Sequence, residues 1–379
     1  MQATAQTQTE QRMSVKIAET ILSRCVDGYH PNISNKWGYV AGMALTAISR
    51  LGDWTKDSRY HEFVKRQMDV FIQEDGTIQG GFRLEDYNLD HINKGKHLMR
   101  LWKETGEDKY EKAARELETQ LIGQPRTEEG GFWHKKIYPF QMWLDGLYMS
   151  SPFMAEFAAA FGEHGWFDEA AHQLLLVERH TRNPETGLLH HAWDESKEQR
   201  WCDGATGRSR HVWGRAMGWY AMAIVDALEH FPARHPKRGQ LLGIFERMAN
   251  AVVRVQDQES GLWYQVMDCN GREGNYLEAS GSCMLTYALA KGIRLHYLSE
   301  IDRKVVERAY VGILTRFVSE DEQGVHLHSI CQGAGLGGRK YRDGSYEYYL
   351  SEPVVSDVLM GVAPLLLAST EIERLSEEL

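Results

Sequence analysis

Apolar residues follow two alternating patterns along this chain. In the first, Tyr60, Phe63, Val64, Met68 and Phe71 fall at helical spacing, while His61, Glu62, Lys65, Arg66 and Asp69 take the other side. Tyr110, Ala113, Ala114, Leu117 and Leu121 repeat the arrangement, as do Phe167, Ala170, Ala171, Leu174 and Leu175, and comparable segments begin near Val15, Leu241 and Lys304. A single apolar stripe predicts a helix with one face buried and one in water. In the second pattern, Tyr39–Leu51, Leu144–Phe161, Arg215–Leu228, Gly281–Ile293 and Val354–Ala368 are apolar nearly all round and rich in Gly and Ala. A helix that hides every face must sit inside a ring of others. Leu89–Trp102 is less apolar but occupies the corresponding place.

Outer and inner helices thus alternate six times, at roughly sixty residues per pair. The connecting turns repeat too: Gly130–His134, Thr186–His191 and Ser260–Gln265 each run from a glycine turn into a short extended stretch. Asp75-Gly76 through Phe82 and Gln323-Gly324 through His328 are weaker versions. These turns predict strand-like hairpins at one end of the ring. Six helical hairpins with short loops close into a double-layered toroid, an all-α (α/α)6 barrel. No Pro- or Ser-rich linker interrupts the chain, so residues 1–379 are expected to form one catalytic domain with a polar, flexible N-terminal stretch at 1–12.

Composition narrows the partners. The net charge of −10 over 379 residues argues against nucleic acid, which wants a basic face, yet leaves room for an anionic small molecule held by a few arginines. No run of about twenty apolar residues could cross a membrane, and the N-terminus lacks the apolar core of a signal peptide. The five cysteines, Cys25, Cys202, Cys269, Cys283 and Cys331, form no CxxC pair and read as reduced thiols of a cytoplasmic protein. No metal or other cofactor is expected: His190 and His191 lack a third ligand, and His326 and His328 merely alternate along an extended run. Gly333–Gly338 satisfies GxGxxG, but a charged turn follows it where a βαβ unit needs a helix, so it reads as a mobile loop near the mouth.

The densest chemistry lies in Gly130–Met149. There Asp145 stands among Met142, Trp143, Leu144, Leu147 and Tyr148. Apolar surroundings strip hydration from a carboxylate and favour the protonated form that a general acid needs, although an aspartate at a helix start can equally be a cap. Other inner-helix starts carry Tyr39, Asp90, and Arg215 with Trp219, and the hairpins add His134 and His191. Convergence of these groups on the N-terminal ends of the inner helices, where partial positive charge suits an anion, marks one mouth of the ring as the site. An arginine buried in an apolar segment calls for a carboxylate partner.

The stretch GGFWHKKIYPFQMWLDGLYM resembles the unsaturated rhamnogalacturonyl hydrolases, glycoside hydrolase family 105. The likeness continues through His190–Glu195 (HHAWDE), Trp213–Trp219 (WGRAMGW), Gly261–Gln265 (GLWYQ) and Asn275–Cys283 (NYLEASGSC), in the family's order over nearly the whole chain. The resemblance implies the same (α/α)6 barrel. By position, Asp145 matches the family's proton donor and Asp90 its second acidic residue, holding sugar hydroxyls or orienting water. His134 and His191 match its active-site histidines, and Tyr39, Trp143, Arg215 and Trp219 complete the substrate-binding set. One departure stands out: where many relatives carry Asn-Asp-x-Lys-Gly, this chain reads Ser356-Asp357-Val358-Leu359-Met360-Gly361, without the lysine.

The implied reaction releases unsaturated galacturonate from rhamnogalacturonan-derived oligosaccharides. The substrate's C4=C5 enol ether is protonated at C4, water adds at C5, and the glycosidic link falls apart afterwards. No nucleophile is aimed at the anomeric carbon, so the usual two-carboxylate spacing rule does not apply, and one carboxyl group can act as acid and then base. Three other readings stay open at this point: an unsaturated glucuronyl hydrolase on glycosaminoglycan-type disaccharides, a sugar epimerase on the same barrel, and a non-catalytic carbohydrate-binding barrel.

Overall fold

A computed structural model describes residues 11–378. The polar stretch expected at 1–12 therefore lies, but for its last two positions, outside the described residues. Six outer helices, α1 (Met13–Ser23), α3 (Ser58–Asp69), α5 (Asp108–Gly123), α7 (Gly165–Thr181), α9 (Arg238–Arg254) and α11 (Arg303–Arg316), alternate with six inner ones. These are α2 (Tyr39–Thr55), α4 (Lys96–Thr105), α6 (Leu144–Phe161), α8 (Gly214–Leu228), α10 (Ala279–Arg294) and α13 (Leu359–Glu377). Each inner helix packs on the next, and α13 returns to α2, closing an all-α (α/α)6 barrel. The outer helices α3 to α11 pack on the inner helix that precedes them, whereas α1 lies against α13, so the two ends of the chain close the outer layer together.

The two helix patterns translate directly into burial. Every residue of α8 is buried, whereas α3 buries only Tyr60, Phe63, Val64, Gln67 and Met68. Leu→Ala at such inner positions costs about 2–5 kcal/mol, so the inner ring dominates stability.

Two inner segments differ from expectation. Leu89–Trp102 begins with two single 3-10 turns, Leu89–His91 and Asn93–Gly95, before α4 starts. Asn88 caps the first of these, its side chain accepting from Asp90 N–H. The last inner helix starts at Leu359 and not at Val354. Val354–Val355 instead form a short strand, β6, paired with β5 (Ile330–Cys331), and Asp357 takes a left-handed φ of +59° before the helix.

The glycine hairpins form as predicted. Gly76, Gly130, Gly187 and Gly261 all have positive φ, between +73° and +92°, a region that suits glycine because it has no Cβ. Antiparallel bridges Ile72 to Ile78, Arg126 to Phe132 and Arg182 to Leu189 close three of the turns. Their extended runs then satisfy backbone N–H groups at the inner-helix starts, which have no intrahelical acceptor. Leu89 N–H donates to His134 O (3.1 Å), Leu144 to His191 O (3.1 Å), Gly214 to Gln265 O (2.9 Å) and Ala279 to Ser329 O (3.0 Å). The residue after each donor is a polar group at the mouth: Asp90, Asp145, Arg215 and Ser280. One repeated backbone contact therefore sets four of the six inner segments beside a residue of the following hairpin.

Candidate active site

Asp145 and His191 meet through this device. Strand β1 (Gln141–Trp143) pairs antiparallel with β2 (Ala192–Asp194), Trp143 opposite Ala192, and carries the chain into α6 with Asp145 as its second residue. His191 Nε2 then stands 3.2 Å from Asp145 Oδ2. The other ring nitrogen, Nδ1, lies 2.8 Å from the hydroxyl of Tyr349, delivered by the short helix α12 (Tyr346–Ser351). His191 is fully buried, edged by Trp143 and tilted against Trp213, while the Asp145 side chain keeps 15% of its surface open. The approach is not a hydrogen bond, and neither Asp145 Oδ2 nor His191 Nε2 has a hydrogen-bond partner among the described residues. A carboxyl oxygen left unmatched at a buried position needs an incoming partner.

Asp90 sits in a different environment. Its Oδ2 lies 2.5 Å from Lys135 Nζ and its Oδ1 3.7 Å from His134 Nε2. Burial pushes its carboxyl up, but the Lys135 ammonium outweighs burial and holds it below the usual carboxylate range. His134 is pushed down to about 4, chiefly by burial, and is neutral at physiological pH. Its ring lies parallel to those of Trp143 and Tyr138, 4.9 Å and 6.4 Å away. Gly146 makes this approach possible, because a Cβ there would come within 2.9 Å of His134 Nδ1. Two acids thus face one mouth, one beside an ammonium and one beside an imidazole alone.

Tyr39 opens α2 between them. Burial first, then the charges of Asp90 and Asp145, push its phenol well above its ordinary value, with Arg215 opposing; it stays a neutral donor. A cavity of about 470 Å3 runs beside Tyr39 and Asp90, framed by Trp37–Ala41, Gly80-Gly81, Asn88 and His91, a size that suits a small ligand.

Arg215 is 1% exposed and makes no ion pair among the described residues. Its Nη1 donates to Ser280 Oγ (3.1 Å) and to Cys331 O (2.7 Å), and the guanidinium lies 4.7 Å from the Trp213 ring centroid. The protein carboxylate expected beside it is therefore replaced by a hydroxyl and a carbonyl. Trp219 corrects a second expectation. It is 1% exposed, stacked on Tyr148 at 5.0 Å and edge-on to Tyr39 at 6.1 Å, so it buttresses the floor and offers no free face to a sugar.

The Gly333–Gly338 loop is pinned where a mobile loop was expected. Leu336 is fully buried with Trp143 and Trp201, and Arg342 donates to Leu336 O and Tyr138 Oη. His326 bridges Asp321 and Asp357 on the hairpin, and Asp357 also accepts from Leu327 N–H, so the segment that lacks the lysine does structural work.

Lys135 and Tyr349 were not foreseen at the site. Lys135 follows His134 in an extended run, so alternation alone places its stem apart from its neighbour's, and only the fold returns its ammonium to Asp90. Tyr349 is 158 positions from His191 and had no sequence signal. The fold also gathers His211, Asp268 and Cys269, whose ligating atoms lie within 4.8 Å of one another. His211 Nδ1 and Asp268 Oδ2 already satisfy each other at 3.0 Å.

The sequence profile of Glycosyl Hydrolase Family 88 matches residues 13–376. A solved family 105 glycoside hydrolase of C. acetobutylicum is 47% identical, with a TM-score of 0.91 over 96% of this chain and 100% of that one. The unsaturated rhamnogalacturonyl hydrolase YesR of Bacillus subtilis is 30% identical over 75% of this chain and 77% of its own. The unsaturated glucuronyl hydrolase of Bacillus sp. GL1 shares the fold, with a TM-score of 0.66 at 14% identity over 96% of this chain and 95% of its own. This chain belongs to the unsaturated uronyl hydrolases of glycoside hydrolase families 88 and 105. It is a glycoside hydrolase whose substrate is a small carbohydrate. No helix among the described residues is long and apolar enough to cross a membrane.

Proposed function

We propose that this enzyme releases unsaturated galacturonate from the non-reducing end of rhamnogalacturonan-derived oligosaccharides by hydrating the C4=C5 enol ether. The observation that carries the reading is the unmatched Asp145 Oδ2 beside His191 Nε2, at the mouth where Arg215 lacks a carboxylate. Asp145 delivers a proton to C4. Positive charge then develops at C5, and water adds there as the same carboxylate accepts its proton. His191, held by Tyr349, keeps Asp145 oriented between the two steps. Asp90, kept ionised by Lys135, binds sugar hydroxyls or orients the water, and His134 and Trp143 wall the sugar. Arg215 takes the uronate carboxylate with the face of its guanidinium not used by Ser280 and Cys331. YesR, named for rhamnogalacturonyl substrates, supports the rhamnose-linked aglycone. A single catalytic domain and a cytoplasmic location complete the proposal, the latter resting on five free cysteines.

The test is a comparison of kcat/KM for unsaturated galacturonyl–rhamnose and an unsaturated glucuronyl disaccharide, followed by loss of ultraviolet absorbance. The proposal expects a preference of at least about tenfold for the rhamnose-linked substrate. Preference for the glucuronyl compound would reassign the specificity, and incorporation of deuterium into a saturated sugar without cleavage would indicate an epimerase.

A further inference from the structure

The opposite mouth of the barrel carries a second cavity of about 290 Å3, framed by the C-terminal halves of α2, α6 and α8 and by α4. None of its residues belongs to the site above, and the stacked rings of Tyr148 and Trp219 stand between the two.

The charged groups here are paired with two exceptions. Arg50 donates to Glu229 (2.8 Å) and forms an ion pair with Asp226 (3.2 Å). Lys291, buried beneath, reaches both Asp226 and Glu229 at 2.5 Å. At the rim, Arg100 pairs with Asp53 (2.7 Å) and Glu104 (2.6 Å). His97 and His230 are pushed down to about 3 and 4, mainly by burial, and are neutral. That leaves Lys96 and Glu156, and neither forms an ion pair among the described residues. Lys96 is 7% exposed; its Nζ has no acceptor and lies 4.1 Å from the Tyr148 ring centroid. Arg50 Nε is likewise without an acceptor.

We propose that this cavity binds a small monocarboxylate between the Lys96 ammonium, Arg50 Nε and the Glu156 carboxyl group. Two buried donors without acceptors call for an anion, because each otherwise carries an uncompensated desolvation cost. Arg50 and Lys291 balance Asp226 and Glu229 at the floor, and Arg100 meets Asp53 and Glu104 at the rim, so Lys96 is the cation facing the cavity without a carboxylate partner among the described residues whenever Glu156 is protonated. One negative charge neutralises it, whereas a dianion would meet Asp226 and Glu229. A carboxylate has two oxygens and about four acceptor sites, enough for Lys96, Arg50 and a protonated Glu156 together. Burial pushes Glu156 up to about 7 and Lys96 down to about 8, so an arriving anion favours the protonated form of both groups. Binding near neutral pH therefore takes up protons.

The experiment uses the full chain and sodium acetate, with sodium chloride at equal ionic strength and inorganic phosphate as controls. Acetate should raise Tm in proportion to the logarithm of its concentration once above its Kd, by about 2 °C at tenfold above Kd, beyond any effect of chloride or phosphate. Calorimetry in two buffers of different ionisation enthalpy should show proton uptake, and Glu156→Gln should bind acetate with less of it. Lys96→Met should abolish the acetate increment. If that variant does not fold, Lys96→Gln takes its place. An acetate effect no larger than chloride's, or one equal in wild type and Lys96 variant, would overturn the proposal. Saturable binding of phosphate in preference to acetate would overturn the monocarboxylate assignment.

Discussion

Tyr349 Oη lies 2.8 Å from His191 Nδ1, on the side of the ring away from Asp145. A hydroxyl there fixes the imidazole's orientation and which nitrogen faces the acid. Tyr349→Phe would leave Nδ1 buried without a partner, and kcat should fall about tenfold with KM nearly unchanged. Steady-state kinetics with a pH profile checks this; a lower Tm with unchanged kcat would reduce Tyr349 to a packing role.

Asp145→Asn should keep the fold, since the amide occupies the same volume, but lose at least about a hundredfold in kcat. Circular dichroism and steady-state rates separate the two effects. Retention of near-full activity would move the acid role to another group.

Arg215→Lys tests the carboxylate clamp. An ammonium cannot reproduce the planar fork, so KM should rise about tenfold or more while Tm changes little. If instead Tm drops and KM holds, the bonds to Ser280 and Cys331 are the residue's whole purpose.

How much of this arrangement was legible in the sequence depends on range. Helical periodicity is local, so the alternation of stripes and all-apolar segments reported the double ring, and turn glycines reported the hairpins. Residue identity near helix starts reported Asp90, Asp145 and Arg215. The pairing of Lys135 with Asp90 and of Tyr349 with His191 depends on how distant segments return to the mouth, which no local pattern encodes. Trp219 was misjudged for a related reason: helical spacing shows that a side chain points inward, not how deep it lies. The Val354 strand was missed because Val354-Val355 is as apolar as the helix behind it, while its pairing partner, Ile330-Cys331, is remote.

Stability should fall on the acid side of neutrality because several histidines are buried uncharged. His97, its Nε2 3.2 Å from Gly42 O, is pushed down to about 3, chiefly by burial. Its folded pKa is below its unfolded value of 6.5, so its contribution is fully present above pH 6.5 and is lost as pH falls toward the folded value. By pH 4.5 this amounts to about 3 kcal/mol. Glu156, raised to about 7, acts in the opposite direction, so the difference between wild type and His97→Gln isolates the histidine. Melts from pH 7.5 to 4.5 should show a shallower decline for the variant. Parallel declines would mean that His97 does not set the acid limb.

The central claim is that cleavage proceeds through hydration of the double bond, with Asp145 as the proton donor. Rhamnose release and ultraviolet absorbance, followed together on unsaturated galacturonyl–rhamnose, test it most directly. The account predicts that absorbance disappears in step with rhamnose release, and that both slow by at least about a hundredfold in Asp145→Asn. Rhamnose released while the absorbance of the free uronate persists would contradict it, because the bond would then be cleaved with the C4=C5 double bond intact.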